Sequence, residues 1–521
     1  MALEIVVVLG ATVLLCNAIA GRLRVAPPVL LLGAGALIGL VPAFHEVRLP
    51  PDVMLLLFLP ALLYVESLTT SLREIRYMLR VVLLMSTVLV VATAGGVAWI
   101  AHEIGLAWGP AWVLGAALAP TDATAVGVLA RALPRRTMTV LRAESLINDG
   151  TALVLYGVAV ALTIGEETLS LPHIGFLFAV SYVGGVLVGL VVAGAGLWIR
   201  AHLDRPMHEN LVSLLTPFTS FLLAELFDAS GVLAVVVAGL VMSQVGPRVM
   251  RADTRQQAFA FWQLSTFALN GALFVLVGLQ ITASVRDLPA GGLAEALIAV
   301  GVISAGVVGV RFLWSFTLPY LLRAVDRRPS QRERRSTARS RVVMSVAGFR
   351  GAVSMAAALA VPVALRSGEP FPDRELIIFV TSGVIAVTLV VGGLALPAVV
   401  RWARLPEDTE VEEETHLAER EATRAAIEAL PEVAERMRIP AIVAERLRLE
   451  YEQHLSHIEA TDNGDADALD ALRLEMVQYK RMIVVGLRDD RRIDDIVLRR
   501  LQLRLDIEEL RLANRGSNDG D

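Results

Sequence analysis

Lysine is all but missing from these 521 residues. Lys480 is the only one, and the cationic side chains are otherwise arginines, as codon usage in a GC-rich bacterial genome would give; no function follows from it. Cysteine is equally scarce: the single Cys16, set in an apolar run, excludes an internal disulfide and argues against a metal-thiolate centre. None of the eight histidines falls in the middle of an apolar run, which argues against an intramembrane haem or zinc. No tandem repeat, glycine-rich nucleotide loop or nucleic-acid signature stands out, so neither a cofactor nor a nucleic-acid partner is expected. Charge is low as well. Charged residues make up 19% of the chain, against about 25% in soluble domains. What replaces them is apolar: 55% of residues are hydrophobic and the mean hydropathy is +0.61. The chain is therefore expected to be an all-α polytopic membrane protein.

With about 20 apolar residues per crossing, thirteen spans fit before position 403. They lie near 3–20, 27–44, 52–68, 78–101, 110–131, 138–164, 174–199, 208–227, 231–245, 258–282, 292–322, 341–365 and 375–400. The first ends in Ala18-Ile19-Ala20, which resembles a signal-peptidase site. It has no positive n-region, and Arg22 and Arg24 follow it, so it is read as a retained span. Alternate connections hold Arg22 and Arg24, then Arg73, Arg76 and Arg80, then Arg135 and Arg136, then Arg200 and Arg205, then Arg248, Arg251 and Arg255, then the run 323–341. The other connections carry only Arg48, Arg286, Arg366 and Arg374. Positive charge gathers on the cytosolic side, which predicts an outside N-terminus and a cytosolic C-terminus in a bacterial inner membrane. The arginine run is expected to mark topology and to touch anionic lipid.

If the seventh span is a linker, spans one to six and eight to thirteen form two sets whose equivalents run in opposite directions. That is the parity of an inverted repeat, in which matching interrupted helices meet at a midplane site. Spans five and twelve are equivalents, and both carry breaks. Pro120 in Ala119-Pro120-Thr121-Asp122 removes an N–H from the first, and Gly348-Phe349-Arg350-Gly351 puts two glycines around a charge in the second. After about Arg404 the composition turns charged and soluble in character. Residues 404–521 are read as a cytosolic helical domain with breaks at Pro431, Pro440 and Asn463-Gly464-Asp465, and with an amphipathic helix through Leu469, Leu472, Met476, Tyr479 and Ile483. Residues 1–403 are the membrane domain.

The chemistry concentrates in Ala143-Glu144-Ser145-Leu146-Ile147-Asn148-Asp149-Gly150-Thr151. Ionisable groups in mid-membrane cost roughly 2.5–3.5 kcal/mol on insertion scales and are read as functional. Asp122 and Asp149 fall near the midplane of adjacent antiparallel spans, and Ser145 shares a helix face with Asp149 as Glu144 does with Asn148. Small hard cations prefer carboxylate, hydroxyl and carbonyl oxygen. Asp149, Ser145 and a carbonyl loosened around Thr121 supply that set, with a proton competing for the same carboxylate. Glu144 and Arg350 lie at similar depth and are expected to form a structural ion pair. Asp122 is read first as a helix cap and second as a ligand. Glu66 is either a gate to the site or a snorkelled surface acid. Asn270 either lines the pore or bonds between helices. Glu225 and Asp228 are read as solvated.

Through Pro120-Thr121-Asp122, the segment Ala143 to Gly150, and Gly348-Phe349-Arg350-Gly351-Ala352-Val353-Ser354, the chain resembles the bacterial branch of the sodium/proton exchanger family. Weaker echoes are Gly231-Val232-Leu233-Ala234 with Ala238-Gly239-Leu240, and Asn270 with Phe274 to Leu279. The resemblance implies a homodimer with a dimerisation subdomain, a moving six-helix core and elevator-like alternating access. It also implies ion binding around Thr121, Ser145 and Asp149, and electroneutral exchange marked by the Asn148-Asp149 pair. One departure concerns Glu66: relatives place an acid directly after the aromatic residue, whereas Val65 intervenes here after Tyr64, turning the side chain by about 100°. Potassium/proton or broad monovalent exchange is the alternative that keeps the fold. A cation channel lacks its pore loop here, and an intramembrane aspartyl protease using Asp122 and Asp149 fits the neighbouring Asn148, Ser145 and Arg350 less well. The protein is therefore not expected to be an enzyme.

Overall fold

The computed structural model describes residues 2–23, 25–44, 54–123, 133, 135–165, 171–203, 205–288, 292–325, 337–405, 410–459, 475–484 and scattered positions from 486 to 509. Most of the arginine-rich run 323–341, Arg48, nearly all of the second half of span five, the Asn463-Gly464-Asp465 break and the Leu469–Leu472 stretch lie outside the described residues. Two compact units result, Met1–Pro406 and Glu407–Asp521.

Among the described residues the first unit is helical apart from one isolated bridge, Ala364 to Pro370. It opens with α1 (Ala2–Leu23) and α2 (Pro27–Ile38), then α3 (Leu59–Thr69), entered through a π-turn at Met54–Phe58. Next come α4 (Leu72–Tyr77), α5 (Leu79–Leu83), a π-turn at Leu84–Val88 and α6 (Leu89–Glu103). They lead into α7 (Trp108–Leu118), α8 (Arg135–Ile164), α9 (Leu171–Ala201), α10 (Pro206–Leu226), α11 (Gly231–Val249) and α12 (Ala252–Asp287). The last elements are α13 (Leu293–Val325), α14 (Ala338–Val346), α15 (Ala352–Leu359) and α16 (Arg374–Ala403). Seven helices among the described residues are long and apolar enough to cross a membrane, and the apolar stretches Pro27–Ile38, Leu56–Thr69 and Gly231–Gly246 are shorter. Each of the thirteen expected spans carries helix in its described residues.

Lipid offers helices no hydrophobic drive to associate, so close backbone approach has to supply the packing. The α2–α12 pair shows how: a Cβ built on Gly35 would meet the Val275 carbonyl oxygen at 2.1 Å, and one on Gly278 the Leu32 carbonyl oxygen at 2.2 Å. The tight turn before α11 is closed by Asp228 in the left-handed region and by Ser230, whose hydroxyl caps the helix by accepting from the Leu233 N–H at 3.2 Å.

Both interruptions are present. α7 stops at Leu118, two residues before Pro120, and the chain runs non-helically through Pro120, Thr121 and Asp122. The twelfth span divides into α14 and α15 around Ala347 to Gly351. Its helix ends at Leu359 instead of near 365, because Pro362 follows and the chain turns into the Ala364–Pro370 bridge.

In the second unit, α17 (Glu410–Arg436) and α18 (Ala441–Glu459) pack together. The break expected at Pro431 does not occur, since α17 runs through it. A proline inside a helix frees one carbonyl, and on this exposed helix water can take it. The break before Pro440 is real, with Arg438 in the left-handed region.

Candidate functional site

The two broken spans touch each other. The Asp122 N–H donates to the Phe349 carbonyl at 2.9 Å, a backbone bond between the interruptions. Their separation is so small that a Cβ at Gly351 would sit 1.9 Å from Asp122 Oδ2, so this position has room for glycine alone. Asp122 thereby lies beside the first residues of α15, where the helix dipole favours negative charge.

Breaking helices in a membrane leaves carbonyls that need donors. Arg350, 1% exposed, supplies them: Nε donates to the Leu118 carbonyl at 3.1 Å and Nη1 to the Gly348 carbonyl at 2.6 Å. One guanidinium thus caps the ends of α7 and α14, the negative ends of both dipoles. The expected ion pair between Glu144 and Arg350 is therefore corrected. Glu144 is held instead by Arg311 of α13, with Nη1 to Oε1 at 2.5 Å and Nη2 to Oε2 at 3.1 Å, while Arg311 Nε donates to the Met344 carbonyl at 3.0 Å. Fork-to-carboxylate geometry suits arginine, and both side chains are at most 2% exposed. Sequence reasoning passed over Arg311, although a charge within the apolar run of span eleven is the same signal that singled out Glu144.

From Glu144 a chain of hydrogen bonds runs to the first break. The Thr121 hydroxyl donates to Glu144 Oε1 at 3.2 Å and accepts from Asn148 Nδ2 at 2.7 Å. Ser145 Oγ donates to the Thr121 carbonyl at 2.8 Å and accepts from the Ala123 N–H at 3.3 Å. Glu144, Ser145 and Asn148 thus hold the non-helical segment against α8.

Asp149, one turn beyond Ser145, takes no part in this network. It is 5% exposed, and among the described residues no group donates a hydrogen bond to its carboxylate. It faces a cavity of about 450 Å³, open mouth included, whose polar lining is Glu66, Thr121, Asp122, Ser145, Asn270 and Ser354, and whose apolar wall is mainly Leu59, Leu62, Leu63 and Leu273. Glu66 and Asn270 thus both face the cavity, whereas Glu225 and Asp228 are exposed. Among the described residues, no cluster of three His, Cys, Asp or Glu has metal-holding geometry. The cavity offers oxygens of mixed type around the Asp149 carboxylate, with the Glu66 and Asp122 carboxyl groups on the same lining, a setting for a hard cation or a proton.

A model of the sodium/hydrogen exchanger transmembrane family matches residues 9–402. An uncharacterised sodium/proton exchanger of Mycobacterium tuberculosis is 46% identical over 98% of this chain and 96% of its own length. A sodium, potassium, lithium and rubidium/proton antiporter of Bacillus pumilus is 31% identical over 78% of this chain and 62% of its own. The solved structure of the sodium/proton antiporter MjNhaP1 from Methanocaldococcus jannaschii shares the fold with a TM-score of 0.57 at 19% identity, covering 77% of this chain and 99% of that one. On the extent of the family match and on these relatives, the chain belongs to the sodium/hydrogen exchanger family.

Proposed function

We propose that this membrane protein exchanges one sodium ion for one proton, electroneutrally and by alternating access, with the Asp149 carboxylate holding either ion in turn. The observation that carries the proposal is the contrast at the site. Glu144, Arg311 and Arg350 are each compensated by named partners, while Asp149 faces the cavity with no donor among the described residues. A buried charge left without compensation is expensive. A proton or a cation removes that cost, and because both use the same oxygens they exclude each other. When only the neutralised site reorients, each cycle returns one proton for one cation and moves no net charge. Asn148 supports electroneutrality, since it acts as a neutral donor to Thr121 and adds no second carboxylate.

Thr121 and Ser145 lend oxygens to the cation, Asp122 steadies the first turn of α15, and Glu66, which lines the same cavity, gates it. A broader selectivity that includes potassium is the second reading, favoured by the Bacillus relative's being a sodium, potassium, lithium and rubidium/proton antiporter. The proposal further places the protein in a bacterial inner membrane among lipid, with the N-terminus outside and the C-terminus in the cytosol, and as a homodimer. The alternation of arginines supports the topology. Exposed apolar side chains on α1 and α9, among them Val6, Leu14, Leu187 and Val191, support burial of those faces in lipid or against a second copy. No cofactor and no covalent step is needed.

The test is cation-evoked proton movement in proteoliposomes loaded with a pH dye, for sodium, lithium and potassium, in the wild type and in Asp149→Asn. Proton movement that disappears in the folded variant supports exchange through Asp149, and full activity in that variant removes the proposal's basis.

A further inference from the structure

Buried serines and threonines in these helices have a habitual partner, the carbonyl four residues back. Ser67 donates to the Leu63 carbonyl at 2.6 Å, Ser86 to Val82 at 2.8 Å, Ser220 to Thr216 at 2.8 Å and Ser382 to Ile378 at 2.7 Å. Ser354 departs from the habit. It is 1% exposed, and among the described residues its hydroxyl has no hydrogen-bond partner. Ser354 stands in the first turn of α15, so the residue four back, Arg350, belongs to the break and presents no helical carbonyl. Unpartnered buried hydroxyls occur elsewhere among the described residues, Thr381 being one, but of all the unpartnered buried atoms only that of Ser354 belongs to a residue lining the Asp149 cavity.

A buried hydroxyl without a partner loses the hydration it had in the unfolded chain, at about 1–3 kcal/mol. A ligand in the cavity can restore that loss. Hard cations are held by several oxygens at once, and the Ser354 hydroxyl, on the same lining as Asp149, Thr121, Ser145, Asp122, Glu66 and Asn270, has no other partner to give up among the described residues. The Thr121 carbonyl accepts from Ser145 Oγ, and Ser145 Oγ accepts from the Ala123 N–H, so each of these oxygens keeps only part of its lone-pair capacity. Asp149 adds its two carboxylate oxygens.

We infer that Ser354 is a further ligand of the transported cation, directly or through one water, so that both broken spans contribute oxygen to the site. The inference rests on the proposed exchange through Asp149. A hydroxyl in this position has a specific value: it adds an oxygen without adding a charge. A further carboxylate would strengthen cation binding but add one more negative charge for protons to neutralise. Ser354 strengthens cation binding and leaves the charge of the site, and so its demand for protons, unchanged. Its removal should therefore weaken the cation branch of the cycle and leave the proton branch as it was.

The experiment uses the full-length protein in proteoliposomes with a pH dye, comparing Ser354→Ala, Ser354→Thr, Thr381→Ala and Asp149→Asn with the wild type. Ser354→Ala is expected to raise the apparent KM for the preferred cation about tenfold, the effect of losing one good oxygen contact. The maximal rate should stay within about twofold, and the pH dependence at saturating cation should not move. Ser354→Thr, which keeps the hydroxyl, should stay within about threefold of the wild-type KM, and Thr381→Ala should match the wild type. Stabilisation of the purified protein by sodium against heating should weaken in Ser354→Ala in step with KM. Should the alanine variant not fold, Ser354→Cys keeps the size and replaces the hard oxygen by soft sulfur, with the same expectation. An unchanged KM for all three cations, an equal rise in Thr381→Ala, or a loss of rate at constant KM would each overturn the inference. If Ser354→Ala is silent while Asp149→Asn is inactive, only the role of Ser354 is lost. If Asp149→Asn remains active, the exchange mechanism itself is lost.

Discussion

The Arg311–Glu144 pair makes a quantitative prediction that separates it from the pairing suggested by sequence depth. Arg311→Met leaves the Glu144 carboxylate, 1% exposed, with the Thr121 hydroxyl as its remaining donor among the described residues. Removing one partner of a buried pair costs about 3–5 kcal/mol, because the other charge stays buried alone. The lost bond to the Met344 carbonyl adds about 1 kcal/mol. Replacing both groups at once, as in Arg311→Met with Glu144→Leu, leaves no orphaned charge and should recover much of the loss. A double-mutant cycle should then report a coupling of about 3 kcal/mol. The same cycle for Glu144 and Arg350 should give under about 1 kcal/mol, since that guanidinium donates to the Leu118 and Gly348 carbonyls instead. The assay is reversible denaturation of purified protein in detergent micelles, followed by tryptophan fluorescence. A larger coupling for Glu144–Arg350 than for Glu144–Arg311 would refute the assignment, as would a loss below about 1 kcal/mol in Arg311→Met.

Arg350→Lys keeps the charge but loses the fork that spans two carbonyls, and it should lower stability by about 2 kcal/mol and transport at least tenfold, read by the same denaturation and by dye assays. Gly351→Ala forces a methyl into Asp122 Oδ2, and overpacking of this kind costs about 1–3 kcal/mol; the exchange rate should fall further than that loss of stability explains. Asn148→Asp cannot donate to Thr121 Oγ1 while ionised, and it sets a second carboxylate near Glu144; a lower unfolding midpoint at neutral pH that recovers in acid is expected. Competition fixes the sign of the pH dependence. Below the pH at which the Asp149 site takes up its proton, apparent KM for the cation should rise about tenfold per unit as pH falls, with high cation restoring the rate. Initial rates over a matrix of pH and cation concentration measure this.

The two interruptions were legible because their causes are written in residue types. Proline lacks an N–H, and Gly348 and Gly351 flank a charge inside an apolar run. Depth was legible too, since counting residues from the ends of a span estimates height in the bilayer, which is how Asp122 and Asp149 were placed near the midplane. Azimuth was not. Glu144, Arg311 and Arg350 all fall within the membrane, and depth alone cannot say which arginine faces the acid. Nor does any residue type mark the carbonyls of Leu118 and Gly348, whose exposure by the breaks decides what Arg350 does. Pro431 erred in the opposite direction, because a proline stops a helix only where nothing else can serve the freed carbonyl. The lone hydroxyl of Ser354 could be noticed only once the start of α15 was known to within a residue.

The backbone bond from Asp122 to Phe349 has a consequence for ancestry. Each half of the chain brings one interruption, and each interruption depends on the other: Arg350 of the later half serves Leu118 of the earlier one. A half-length chain would therefore hold a broken helix with unserved carbonyls and no ion site. A forerunner of half this length would have needed two copies inserted in opposite orientations, each supplying the donors that the other lacked. Fusion of two such copies into one chain would fix that pairing and leave Asp149, present once, free to specialise.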